Sequence, residues 1–64
     1  AELLFNRGLV HLATKNFNMA IIDFSEALKI DPKFKDSYEH RAQAYKQLGM
    51  EDKAASDQEF LLSN

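Results

Sequence analysis

Apolar residues recur at spacings of three and four along the whole chain and nowhere alternate with period two, so the pattern predicts helices and no strands. The first helix is expected from Glu2 to about Thr14, with Leu4, Arg7, Gly8 and His11 along one edge. Lys15-Asn16-Phe17-Asn18 interrupts the pattern, and Asn18 is placed as the N-cap of the second helix. In that helix Ala20 and Ala27 lie two turns apart, with Phe24 between them on the same face. Ile21, Leu28 and Ile30 are expected to widen the apolar stripe, with Asp23, Ser25, Glu26 and Lys29 facing elsewhere. Pro32 ends the helix, because the residue before a proline is pushed out of the α region. A third helix is expected from about Asp36 to Leu48, with Gly49 as its C′ residue, and a fourth from near Glu51 toward the chain end. Connections this short force consecutive helices to be antiparallel neighbours. The expected fold is all-α.

Sliding the chain against itself by 34 residues brings Arg7, Ala20, Asp23 and Leu28 onto Arg41, Ala54, Asp57 and Leu62. The same shift sets Gly8 on Ala42, Leu4 on Tyr38 and His11 on Tyr45, keeping size class where helices must touch. A period of 34 is that of a helix-turn-helix repeat.

On these residues the chain resembles the tetratricopeptide repeat family. The family pattern appears as Leu4, Arg7-Gly8, His11, Ala20, Phe24, Ala27 and Pro32, and again as Tyr38, Arg41-Ala42, Tyr45 and Ala54. The resemblance covers the whole chain and implies two antiparallel helix-turn-helix hairpins, a fragment of an α-solenoid. One repeat is expected over 1–34 and a second, degenerate or truncated at its end, over 35–64. Gln58 stands where the repeat would place an aromatic and Leu61 where it would place a small residue. Arg7 and Arg41 replace the usual leucine, and each repeat also carries an aspartate. Asp23 is expected to pair with Arg7 or Arg41 in a partly buried ion pair.

A 64-residue chain of net charge −2, with its charges interspersed, has no electrostatic footprint for nucleic acid and no basic patch for a membrane surface. It contains no cysteine and no long apolar run, so an intracellular, cytoplasmic setting is expected. His11 and His40 are too far apart in sequence, and on different helix faces, for a metal site. None of the serines sits in a nucleophile motif, and neither a phosphate loop nor a pair of catalytic carboxylates is visible. No enzymatic activity, cofactor or metal is expected.

What remains is an exposed face. The resemblance implies that the first helix of each repeat lines a concave surface that binds another protein, as a peptide or an amphipathic helix, within a longer scaffold or co-chaperone. Packing on the second helix accounts for Leu4, Gly8 and His11, which leaves Phe5, Leu9 and Leu12 toward the concave side. Asn6, His40 and Gln43 are their expected polar neighbours, and these six residues form the candidate partner-binding set. One subset of the family clamps chaperone C-terminal carboxylates with Lys, Arg and Asn. Asn6 matches that set, but Asp36 and His40 stand where its cations belong. The alternative function is self-association through exposed repeat faces.

Overall fold

A computed structural model describes residues 1–63; Asn64, the last position of the second expected unit, lies outside the described residues. Four helices follow one another: α1 (Glu2–Ala13), α2 (Phe17–Ile30), α3 (Lys35–Gln47) and α4 (Glu51–Ser63), with no strand among the described residues. α1 packs on α2 and α3 on α4 as hairpins, α2 and α3 join the hairpins, and α3 also touches α1. α4 reaches α3 alone. The backbone forms a slab of 29 × 26 × 14 Å. α1 and α3 touch each other and both pack on α2, so the first three helices form a triangle rather than a single row.

The turns inside the hairpins repeat bond for bond. After α1, Lys15 N–H donates to Leu12 O (3.1 Å) and Asn16 N–H to His11 O (2.8 Å). After α3, Gly49 N–H donates to Lys46 O (3.0 Å) and Met50 N–H to Tyr45 O (2.8 Å). These are the paired bonds of a Schellman turn, which needs its C′ residue in the left-handed region. Gly49 (φ 76°) takes that conformation without strain, whereas Lys15 (φ 65°) carries a Cβ there. The turn delivers the chain to α2 at Asn16, so Asn16 is the N-cap and the expected Asn18 lies inside the first helical turn. α3 starts and ends one residue earlier than expected, and Gly49 keeps its place beyond Leu48. Between the hairpins Asp31 is extended before Pro32, and its Oδ1 accepts from Lys33 N–H at 3.2 Å.

The core centres on Phe24, fully buried with Ala20 and Ala44; Phe5, Leu9, Leu12, Phe17 and Ile21 pack around it. Phe24 lies so close to α1 that a Cβ on Gly8 would sit 2.6 Å from its ring. Ala27, Ala42 and Ala54 are buried at the other helix crossings. Two expectations for α2 are overturned. Asp23 does not face away but is fully buried, because Arg7 covers its charge. Ile30 does not extend the apolar stripe but stands exposed, two turns beyond Asp23 and past the stretch where α1 faces α2. In α4 the repeat weakens. Gln58 is exposed, and the expected aromatic is supplied two positions later by Phe60, stacked on Tyr38 with ring centroids 4.0 Å apart.

Gly8→Ala is expected to lower stability by roughly 1–3 kcal/mol, since a buried ring cannot withdraw from the new methyl group; an unchanged thermal midpoint would contradict the close approach. Lys15→Gly should raise stability by about 1 kcal/mol and Gly49→Ala lower it by about as much, because only the left-handed conformation changes in cost. Chemical denaturation of the two variants measures both, and effects of equal sign would refute the assignment of a shared turn.

Candidate binding face

The face formed by α1 and α3 is built outward from the core. Phe5 is half-buried, its ring centroid 5.7 Å from Phe24, 4.8 Å from Phe34 and 5.4 Å edge-on from His40. Leu9 and Leu12 are likewise half-buried against the Ala20–Phe24–Ala44 cluster. Phe5, Leu9 and Leu12 therefore each pack partly on that cluster, to which α2 and α3 both contribute, and their remaining surface reaches solvent. Leu4 and His11 are half-buried too, against α2, as expected of the hairpin edge.

The polar members take different positions. Asn6 and Gln43 are exposed. His40 is half-buried, its Nδ1 2.9 Å from the carbonyl of Asp36. A carbonyl only accepts, so that nitrogen carries the proton, and in a neutral ring Nε2 remains an acceptor. Leu12 and Gln43 meet across a concavity of about 260 Å³ whose other walls are Ala13, Lys15, Phe17 and Gln47. Of the six candidate residues, the structure thus groups Phe5 with His40 and Leu12 with Gln43, while Leu9 packs on the core cluster and Asn6 is exposed on α1. Lys15 and Phe17 escaped sequence reasoning because Lys15 lies in the turn and Phe17 opens α2 directly after it, inside the stretch that breaks the helical pattern.

An ion pair locks each hairpin. Arg7 Nε and Nη2 donate to the two carboxylate oxygens of Asp23, both at 2.8 Å, and His11 Nε2 lies 3.5 Å from the same group. Arg41 holds Asp57 by the same fork at 2.8 and 2.7 Å. The expected alternatives for Asp23 are thereby resolved in favour of Arg7. Arg41 adds a third bond, from Nη1 to Ser25 Oγ at 3.0 Å, which ties the second hairpin to α2. Tyr38 and Tyr45 flank its guanidinium at 5.5 and 5.8 Å. The fork from Arg7 holds the Asp23 carboxyl below the usual carboxylate range, against the opposing effect of burial. The same bonds raise Arg7 and Arg41 above their ordinary values.

A right-sized hairpin, small residues at its crossings, a closing proline and a repeat of 34 define a class of stacked helical-repeat proteins. The tetratricopeptide repeat family matches residues 1–34 and again 35–61, and the chain belongs to that family. Its repeats are non-catalytic units that generally mediate protein–protein interaction. No curated protein and no solved structure matched the chain. Among the described residues no helix is long and apolar enough to cross a membrane, and no group of three or more His, Asp or Glu could hold a metal ion.

A carboxyl whose folded pKa is depressed contributes stability above its unfolded value, about 4, and that stability is lost as pH falls through the folded value. The thermal midpoint of the native chain is accordingly expected to drop below about pH 4. In Asp23→Asn the midpoint should be lower at neutral pH and its acid slope shallower. Parallel pH profiles for the two proteins would remove Asp23 from the acid transition.

Proposed function

We propose that the chain is a protein-binding module that takes a segment of another protein, extended or as an amphipathic helix, across the face of α1 and α3, and that it does so as part of a scaffold or co-chaperone. The observation that carries this reading is the meeting of Leu12 and Gln43 in one concavity. An apolar floor there can accept an anchoring side chain, and exposed amides at its rim can bond a peptide backbone. The outer edges of Phe5 and Leu9 continue the floor, and Asn6, His40 and Gln47 continue the polar rim. No part of the face carries the chemistry of catalysis.

Peptides selected by display against the chain should shift backbone amide resonances of Asn6, Leu9, Leu12, Ala13, His40 and Gln43, leaving those of Asn18, Ile22 and Lys29 unmoved. The double variant Asn6→Arg, Gln43→Arg alters only exposed positions, so helicity should persist while affinity falls about tenfold or more, a loss of about 1.4 kcal/mol. Shifts confined to the outer side of α2 would place the site elsewhere.

A further inference from the structure

Lys15 stands where backbone geometry argues against a lysine. The equivalent turn after α3 has Gly49 at its left-handed position, whereas Lys15 carries a side chain there at φ 65°. Strain at such an outlier points to a task for the side chain. Lys15 lines the concavity of about 260 Å³ at one end of the α1 and α3 face, beside Leu12, Ala13, Phe17, Gln43 and Gln47. Leu12 and Phe17 are half-buried and give the hollow an apolar floor, while Lys15, Gln43 and Gln47 are exposed around it. Among the described residues no carboxylate lines it. Lys29 is engaged by Glu26 and Lys53 lies over Tyr45, but the Lys15 ammonium bonds no group among the described residues.

At the opposite end of the face the charge has the other sign. Glu2 lies one turn before Asn6 on α1 and Asp36 one turn before His40 on α3, and both are exposed. Each of these helices is antiparallel to α2, so Glu2 and Asp36 share the end remote from Lys15. From Glu2 to Lys15 the rise along α1 is about 20 Å. Asn6 and Gln43 stand between the two ends with exposed amides. An extended chain has backbone N–H and C=O groups to offer such amides, whereas a helix has already used its own. We infer that the segment taken by this face is extended and charge-polarised. An apolar residue enters the hollow and an adjoining Asp or Glu pairs with Lys15, while a Lys or Arg about six residues away pairs with Glu2 and Asp36. The inference rests on the peptide-binding reading of the same face and narrows it to one chemistry. The acid is an internal side chain and not a chain end. Capture of a terminal carboxylate uses free backbone N–H groups, and those of Lys15 and Asn16 are already given to Leu12 O and His11 O.

Display of random segments of about ten residues, joined to a carrier at both ends so that no terminus is free, tests the inference on the full chain. Segments that shift the amide resonances of Leu12, Ala13 and Gln43 should carry an Asp or Glu beside an apolar residue and a Lys or Arg about six positions away. With one such segment as the probe, Lys15→Gly should weaken binding about threefold while raising the thermal midpoint, so that the loss cannot come from a damaged fold. Lys15→Glu should weaken binding about tenfold, and exchanging the acidic residue of the probe for lysine should restore it. Segments that bind this face without the charge pattern, or an affinity indifferent to Lys15→Glu, overturn the inference and leave the peptide-binding reading standing. Failure of every segment to shift those resonances overturns both.

Discussion

Insertion of Phe24 between helices is the constraint on which the arrangement rests. A ring at full burial needs a backbone without a side chain on α1, which is Gly8, and small residues on its own helix and on α3, which are Ala20 and Ala44. Phe5 closes the remaining side. The second hairpin shows the same rule from the opposite direction. There the wedge position holds Gln58, which stays outside, and α3 correspondingly tolerates Ala42 where α1 requires glycine. Tyr38 and Phe60 fill the space by stacking instead. Residue size at one helix thus dictates residue size at its neighbour, and the two hairpins solve the same geometry with different pairs.

The Arg–Asp fork supplies orientation where apolar packing alone would permit sliding. Each aspartate is buried and has both oxygens engaged, so neither can be displaced by a register shift without leaving a charge unpaired. The two forks differ in setting: the Arg7 side chain is 62% exposed and that of Arg41 19%. The difference arises because α2 and two tyrosines cover Arg41, while the corresponding side of α1 has no helix against it. Identical chemistry is therefore an interior device in one hairpin and an exposed handle in the other.

Much of the fold could be read from the chain because helix period, turn spacing and the 34-residue repeat all agree. Ala20, Phe24 and Ala27 are legible by spacing alone, and Pro32 by its chemistry. The placement of Asn18 as a cap failed because a left-handed residue at Lys15 hands the chain over two positions earlier, and a lysine does not advertise that conformation. Comparison with Gly49, its counterpart in the repeat, would have revealed it. The apolar side of α1 was legible in outline, but the share of Phe5, Leu9 and Leu12 taken by the Ala20–Phe24–Ala44 cluster was not. Period shows which side of a helix is apolar, and only the tertiary arrangement shows how many neighbours divide that side. The outward position of Leu3 and Val10 follows the same logic, since their counterparts Ser37 and Ala44 are small where a helix covers them.

Both ion pairs join residues sixteen positions apart, and each turn bond is shorter still. A topology held by such near neighbours closes only small loops on its way to the native state, which places it among rapidly folding chains. It also gives the first hairpin everything it needs for its fork and its turn by Ile30. During synthesis that unit can begin to organise while the second is still emerging, and α3 then docks onto a surface already in place. The repeat thereby sets an order of assembly as well as a shape.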